Sequence, residues 1–425
     1  MRTSVVARGL LACAIAAGTF LCSGGASWAG KADGAGDLAV PTAHVTATDA
    51  RVISDATATS FVIDLSGDVT AEVFTLANPY RVIVDLPNLS FEMKPATGQQ
   101  ARGLIKAFRY GLFADRKARV VIDTKGPVKI ARADMKRATS GTGVALKIDL
   151  EPMDAVAFGA GTGASRAAPS GSESAAANNA PTVPKPKDES RRIIIIDPGH
   201  GGIDPGAVGA DNVAEKTIVL SVARQLKVAL ETLKTFDVLL TRDSDVFVSL
   251  GKRLQFSHDH NADLFISLHA DAIEERHFAG NIRGATVYTL SERASDEQAR
   301  LIADKENASD LLAGLEMHDT PGDDQVKSIL IDLLKRETAN FSNDFSRVLA
   351  GQLAKSIEMS RAPQRSAAFK VLKQPHAPSV LVELGYISNP EDQGKMTTVA
   401  WQKKTASAIA AAVQSYFGKR LADRP

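Results

Sequence analysis

Residues 193–202 have the sequence Ile193-Ile194-Ile195-Ile196-Asp197-Pro198-Gly199-His200-Gly201-Gly202. Four consecutive β-branched apolar residues are typical of a strand that is buried on both faces of a sheet. The Asp-Pro-Gly sequence ends that strand, because proline has no backbone N–H to donate and glycine permits a sharp turn. His200 is therefore expected on a loop at the carboxyl end of a buried strand, where α/β enzymes place reactive groups.

Strand and helix patterns alternate from this segment onward, over residues 191 to about 418. The alternation predicts an α/β domain, with a mostly parallel or mixed sheet flanked by helices. Further strands are predicted at Asp237–Thr241, Leu264–Leu268, Ala285–Leu290, Phe369–Leu372 and Ser379–Glu383. Helices are predicted from near Val213, from about Leu250 to His260, and from Thr398 to Tyr416.

Residues 44–152 have a different pattern, in which short strand signals are separated by Gly, Pro and Asn turns. Such spacing predicts an all-β sandwich that precedes the α/β domain. This region contains no combination of residues that indicates catalysis. Residues 153–190 are dominated by Ala, Gly, Ser, Asn and Pro, so we expect a flexible linker between the two domains.

The first 29 residues resemble a secretory signal: Arg2 and Arg8 precede an apolar run, and Ser27-Trp28-Ala29 offers small residues for cleavage after Ala29. The run is too short to span a membrane, and no other segment is long enough. We therefore expect an exported, periplasmic protein without a transmembrane segment. Both cysteines lie in this leader, so any metal must be held by histidine and carboxylate. The net charge of +1 gives no indication of nucleic-acid binding.

Three residues occupy positions suited to metal ligands. His200 follows the first strand of the α/β domain, Glu215 lies in the first turn of the next helix, and His269 ends a buried strand. Two imidazoles and one carboxylate form a common catalytic zinc set that leaves a position open for water. Taken singly, a histidine after a strand is more often a turn residue, and a glutamate at a helix start more often serves the helix dipole. Arg242, also after a strand, suits either a substrate carboxylate or a structural ion pair.

Glu383 ends an otherwise apolar strand, where a carboxylate is costly to bury without a partner or a role. Beside a zinc site it is predicted to act as general acid and base, taking a proton from water and passing it to the leaving nitrogen.

Five ordered motifs resemble the zinc-dependent N-acetylmuramoyl-L-alanine amidase family. They are Ile196–Gly202, Glu215-Lys216, Leu240–Asp243, Ser267–Asp271 and Val382–Asn389. The resemblance implies one zinc ion per domain and hydrolysis of the amide between the lactyl group of N-acetylmuramic acid and L-alanine in peptidoglycan. It also implies that His200, Glu215 and His269 bind zinc and that Glu383 is catalytic. Asp271 is a departure, because Asn is frequent there, and it puts the local hydrogen bonding in question.

The β-region resembles the AMIN domain in its segments Tyr80–Pro87 and Arg119–Asp123. That resemblance implies peptidoglycan binding and placement of the enzyme in the envelope. The alternative is a purely structural β-domain without a ligand of its own.

Residues 291–335 are longer than a single crossover requires, and long insertions near active sites are often lids. We predict a helix from Ala294 to Leu315, a polar loop at Met317–Asp324 and a second helix from near Gln325. The segment resembles the regulatory insert of cell-division amidases. This implies that Glu306 reaches the open metal position until an activator protein moves the helix. The alternative is an ordinary surface helix.

Two other functions remain open from the sequence. The same residue set would suit a zinc peptidase acting on stem peptides. A non-catalytic wall-binding protein would require a broken site, whereas all three predicted ligands and Glu383 are present.

Overall fold

The computed structural model describes residues 3–5, 44–55, 58–93, 98, 101–137, 143–161, 191–272, 282–315 and 328–422. The predicted signal sequence apart from residues 3–5, most of the predicted linker, and the predicted polar loop lie outside these ranges.

The β-domain, residues 45–152, contributes nine strands to two sheets with the strand orders β1-β4-β5-β8-β7 and β6-β2-β3-β10-β9, and the short edge strand β1 comes from the predicted leader. The strands are β1 Thr3–Val5, β2 Val45–Ser54, β3 Thr59–Leu65, β4 Ala71–Leu76, β5 Arg81–Pro87, β6 Leu89–Phe91, β7 Ile105–Ala114, β8 Lys117–Thr124, β9 Val128–Arg137 and β10 Val144–Pro152. The sheets enclose one apolar core, to which β5 contributes Val82 and Val84, and β8 contributes Val120 and Ile122. The predicted β-sandwich is confirmed.

A short helix follows the β-domain. Helix α1, Ala155–Gly161, occupies the first part of the predicted linker. Phe158 is buried and packs edge-on against Tyr80 at 5.0 Å between ring centroids. The linker prediction is therefore wrong for these residues, because Phe158 supplies the apolar anchor that the surrounding small residues lack.

The α/β domain, residues 191–422, contains a six-stranded sheet with the order β12-β11-β13-β16-β14-β15. Neighbouring strands are parallel, except that β14 runs antiparallel to β16. The strands are β11 Arg192–Pro198, β12 Phe236–Leu240, β13 Leu264–His269, β14 Ala285–Leu290, β15 Met359–Ala367 and β16 Ser379–Glu383. The helices are α2 Glu215–Thr232, α3 Leu250–Asp259, α4 Glu297–Asn307, α5 Ser309–Leu312, α6 Ser328–Leu353, α7 Pro390–Met396 and α8 Val399–Ala422.

Strand β11 is buried on both faces, as its sequence predicts. Ile194 and Ile196 pack into the core that β11 shares with α2, α6 and α8. Ile195 points the other way, into the core that contains Phe256 of α3 and Ile302 of α4. The predicted α/β fold with a mixed sheet is thus confirmed. Among the described residues, no helix has the length and apolarity needed to cross a membrane.

Two predictions near the end of the sheet are wrong. The segment Phe369–Leu372 is not a strand, because Lys370–Leu372 form a 3-10 turn in which Val371 and Leu372 are buried. The sheet instead ends in β15, whose polar sequence hid it. The predicted helix Ala294–Leu315 is divided at Ala308 into α4 and α5.

The two domains meet through a fourth apolar cluster. The β-domain contributes Leu76, Ile83 and Val121 to it, from the sheet face that points away from its own core. The α/β domain contributes Ile203, Phe247 and Ala313. Ala313 follows α5, so the segment that contains α4 and α5 touches both domains.

Candidate metal centre and active site

Two histidines meet at the carboxyl ends of neighbouring strands. His200 follows β11, and its Nδ1 lies 2.9 Å from Oδ2 of Asp204. His269 is the last residue of β13, and the two imidazole rings are 4.9 Å apart between centroids. His200 Nε2 and His269 Nδ1 are both buried, and neither has a hydrogen-bond partner. Buried polar atoms are almost always paired, and two imidazole nitrogens without a hydrogen-bond partner are suited to bind a metal ion.

Two carboxylates approach the same pair of nitrogens. Glu215 Oε1 lies 3.2 Å from His200 Nε2 and 3.3 Å from His269 Nδ1. Glu306 Oε2 lies 3.4 Å from His200 Nε2 and 3.1 Å from His269 Nδ1. Bonds of about 2.0–2.2 Å in a tetrahedral zinc site place neighbouring ligand atoms about 3.4 Å apart. Each of the two carboxylate oxygens therefore lies at the spacing of zinc ligands from both imidazole nitrogens.

The carboxylates around the two histidines also favour the binding of a cation. Burial alone would lower the pKa of His200, but the carboxylates of Glu215, Asp204 and Glu306 raise it well above its ordinary value. Burial likewise would raise the pKa of Glu215, whereas the two imidazoles hold it well below its usual range. His200, His269 and Glu306 form a group whose ligand atoms could hold a metal ion. A divalent cation would neutralise the excess negative charge without protonating the imidazoles.

Glu215 is held rigidly although it lies at the first turn of α2. Its side chain is fully buried, and each carboxylate oxygen accepts a hydrogen bond from a backbone N–H. Oε1 accepts from Ala270 at 2.7 Å, and Oε2 accepts from Ala207 at 2.9 Å. The backbone donors orient the carboxylate toward the two histidines, as partners behind a metal ligand commonly do.

Glu383 lies beside His269, because the two residues are register partners on the neighbouring parallel strands β16 and β13. Its side chain is fully buried; Oε2 accepts from the Asp271 N–H at 3.0 Å, and Oε1 has no hydrogen-bond partner. Burial, together with the carboxylates of Asp271, Glu215 and Glu306, raises the pKa of Glu383 well above its ordinary value. The group is therefore suited to hold a proton.

Asp271, the departure from the family pattern, connects the site to helix α4. Its Oδ1 accepts a hydrogen bond from Nζ of Lys305, the residue before Glu306. Burial raises the pKa of Asp271 to about 7, while Lys305 opposes that rise. An asparagine would not offer Lys305 a negative charge.

The loop that carries His200 is fixed by two buried arginines. Arg253 pairs with Asp197 at 2.5 Å and donates to the carbonyl oxygens of Pro198 and His200 at 2.8 and 2.9 Å. Burial alone would raise the pKa of Asp197, but Arg253 and two hydroxyl donors hold it below its ordinary value. Arg242 donates to the carbonyl oxygens of Pro198 and Gly199. It is a scaffold of the loop, neither an ion pair nor an exposed substrate contact.

The structure thus places four of the five predicted site residues around one point, namely His200, Glu215, His269 and Glu306, with Glu383 on the adjacent strand. Sequence reasoning missed Asp204, Arg253 and Lys305. Asp204 had a local signal, since it is a carboxylate four residues after His200 in a Gly-rich loop. The partners of Arg253 and Lys305 lie far from them in the sequence, so a single sequence could not predict these contacts.

Little space remains in front of the two histidines. The cavity lined by His200, His269, Glu306 and Phe369, among others, has a volume of about 10 Å³. That is about the minimum for one water molecule and far below the several hundred Å³ of a typical ligand pocket. Helix α4 therefore occupies the approach to the site.

A mixed α/β sheet with a buried histidine–carboxylate centre at its strand ends is an arrangement that suits a hydrolase and could hold a metal ion. The model of the N-acetylmuramoyl-L-alanine amidase family matches residues 194–415, and that of the AMIN domain matches residues 49–150. The chain belongs to the N-acetylmuramoyl-L-alanine amidase family, so the predicted family and enzyme class are confirmed.

The chain is similar to relatives over almost its full length. The N-acetylmuramoyl-L-alanine amidase AmiC of Neisseria meningitidis is 30% identical over 390 residues, covering 89% of this chain and 91% of that protein. AmiC of Escherichia coli O6:H1 is 31% identical over 392 residues, covering 88% and 90%. The solved structure of AmiC2 of Nostoc punctiforme is 25% identical with a TM-score of 0.39, covering 53% of this chain and 97% of that one.

Proposed function

We propose that this amidase is zinc-dependent and hydrolyses the amide between the lactyl group of N-acetylmuramic acid and L-alanine of the stem peptide in peptidoglycan. The observation that carries the proposal is that one oxygen of Glu215 and one of Glu306 each lie 3.1–3.4 Å from both His200 Nε2 and His269 Nδ1, two nitrogens without a hydrogen-bond partner. Histidine and carboxylate together are the ligands of catalytic zinc.

His200, Glu215 and His269 are the permanent ligands in this proposal. Two of them lie on or directly after sheet strands, and Glu215 is oriented by two backbone N–H groups. When bound, zinc would lower the pKa of a coordinated water and polarise the amide carbonyl. The protein keeps the three side chains in place. Asp204 contacts the His200 ring, and Arg253 donates to the His200 carbonyl oxygen.

Glu383 is the general acid and base. The Asp271 N–H holds its Oε2, which leaves Oε1 for the proton that comes from the attacking water. The raised pKa lets Oε1 hold that proton and transfer it to the amide nitrogen as the C–N bond breaks, so that L-alanine leaves with a free amino group. The carboxylates of Asp271, Glu215 and Glu306 all contribute to the raised pKa of Glu383. Displacement of Glu306 would therefore lower that pKa.

Glu306 occludes the site in the resting chain. Its Oε2 takes the fourth position next to both histidines, and α4 fills the approach. Substrate can enter only after α4 moves, so we propose an activator protein that displaces it. The predicted export signal and the AMIN domain match support a role in the periplasm, on the cell envelope and in septal wall splitting.

Product analysis of digested peptidoglycan tests the reaction. We expect the Glu306→Gln variant to release intact stem peptides with a free L-alanine amino group, leaving glycan without peptide. A chelator should stop the release and added zinc should restore it, while Glu383→Gln in the same background should bind zinc without releasing product. Shortened stem peptides would instead identify a peptidase. Absence of any product from zinc-loaded Glu306→Gln would favour a wall-binding protein.

A further inference from the structure

Three arginines of the β-domain point at the turn that ends α5. They lie on neighbouring strands of one sheet: Arg81 on β5, Arg119 on β8 and Arg109 on β7. Their guanidinium groups donate to backbone carbonyl oxygens of residues 311–314. The contacts are Arg81 Nη1 to Leu311, Arg109 Nε to Leu312 at 2.7 Å, and Arg119 Nη1 to Ala313 at 3.1 Å and Gly314 at 3.3 Å.

Acidic side chains on the same sheet orient two of these arginines. Asp85 holds Arg119 through two hydrogen bonds of 2.6 and 2.8 Å, and Asp123 holds Arg109 through two of 2.6 and 3.0 Å. Arg81 is only 1% exposed. The last carbonyl groups of a helix have no partner inside the helix, so they are natural acceptors for such donors.

Apolar packing completes the same contact. Ala313 is fully buried in the interdomain cluster beside Ile83 and Val121 of the β-domain. Gly314 has a φ of +75°, and a Cβ at this position would lie 2.6 Å from Cδ1 of Ile83. The turn therefore fits closely against the sheet, and only glycine suits position 314.

The turn that is held in this way lies five residues beyond Glu306, and only Ala308 separates α4 from α5. We propose that this sheet face of the β-domain is a docking surface for residues 311–314, and that it latches Glu306 into the metal site. The inference rests on the proposed function, because it presumes that Glu306 occludes the centre. It gives the β-domain a role in controlling the enzyme in addition to any contact with the wall.

Arginine variants of the full chain test the latch. We expect Arg119→Gln and Arg109→Gln to speed amide hydrogen exchange in residues 297–315 by about tenfold or more, because each removes a charge-assisted contact. Release of stem peptides from peptidoglycan should rise by a similar factor. Arg51→Gln is the matched control, since Arg51 pairs with Asp49 and Asp64 on the other sheet; it should change neither quantity. Arg109 is the less buried of the two, so its variant serves if Arg119→Gln fails to fold.

A comparison with Glu306→Gln separates the two claims. If Glu306→Gln is activated while both arginine variants behave like the parent, the latch is overturned and the proposed function stands. Faster exchange without faster product release also overturns the latch. If zinc-loaded Glu306→Gln is no more active than the parent, the proposed occlusion fails first. The double variant Glu306→Gln with Arg109→Gln should be at least as active as Glu306→Gln alone, because helix α4 still lies in the approach after Glu306 is changed.

Discussion

His200 has a φ of 57°, in the left-handed region that a residue with a side chain rarely adopts. Such a conformation costs on the order of 1–3 kcal/mol and persists only where the surroundings fix it. Here the carbonyl oxygen of His200 accepts from Arg253, and Arg242 donates to the two carbonyl groups before it. The strained residue is therefore the one whose ring is aimed at the metal position.

Asp204 fixes the orientation of that ring through His200 Nδ1. We expect Asp204→Asn to weaken zinc binding by about 10–100-fold, the usual cost of losing such a partner, as measured by competition with a chelating dye. Asp211→Asn, in the same loop but exposed, is the control. Equal zinc affinity in both variants would remove Asp204 from the site.

Arg253→Met leaves Asp197 buried without its cationic partner. We expect the free energy of unfolding to fall by about 3–5 kcal/mol in urea denaturation, the typical cost of breaking a buried ion pair from one side. Arg224→Met, which breaks an exposed pair with Asp243, should cost less than about 1 kcal/mol. A loss below 1 kcal/mol for Arg253→Met would contradict the account of the loop.

The buried face of helix α4 places Glu306 at the site. Ala299, Ile302 and Ala303 form the buried face that packs on the sheet, and Glu306 continues that face one turn further. The helix is thus anchored by its core residues and delivers a carboxylate to the strand ends. Deleting residues 293–322 would raise basal activity by removing Glu306, but it would also uncover this core, so point variants are cleaner tests.

Lys305 adds a second attachment of α4, through its ion pair with Asp271. We expect Lys305→Gln to raise basal peptidoglycan hydrolysis several-fold, because the helix loses a partly buried charge-assisted contact of about 1.5 kcal/mol. The control is Arg300→Gln on the same helix, whose contacts to Glu297 and Asp304 are exposed. If the two variants hydrolyse peptidoglycan at the same rate, Lys305 does not help to hold the helix.

The sequence predicted those elements whose pattern is local. The strand Ile193–Ile196, the strand ending at His269 and the position of Glu383 follow from apolar runs that end in a polar residue. Strand β15 was missed because Met359–Ala367 lies at the sheet edge and has a polar sequence. Phe369–Leu372 has the composition of a strand, yet its residues are buried as a turn. The apolar cluster that contains both Ala313 and Val121 could not be predicted from sequence patterns, because its residues come from two domains.

The two domains contact each other through backbone hydrogen bonds as well as through side chains. The Leu112 carbonyl oxygen on β7 accepts from the N–H groups of Ile203 and Phe247, both at 3.2 Å. Gly111 lies against Gly202, and a Cβ at position 111 would be 2.5 Å from its carbonyl carbon. The junction reaches to within two residues of His200, so domain position and site geometry are linked.

Gly111→Ala should separate the two domains, because the new methyl group would overlap backbone atoms that cannot move aside freely. We expect a larger radius of gyration in small-angle X-ray scattering and faster hydrogen exchange in residues 297–315. Gly126→Ala, at a position with open space around it, should leave both unchanged. A Gly111→Ala protein as compact as the parent would contradict the described domain contact.

We expect the resting full chain to bind one zinc ion through two histidines and two glutamates. The most direct measurement is an anomalous-scattering map of a crystal of the zinc-loaded chain. We predict a single strong peak within bonding distance of His200 Nε2, His269 Nδ1, Glu215 Oε1 and Glu306 Oε2. A peak with water in place of Glu306, or one away from these residues, would contradict the account.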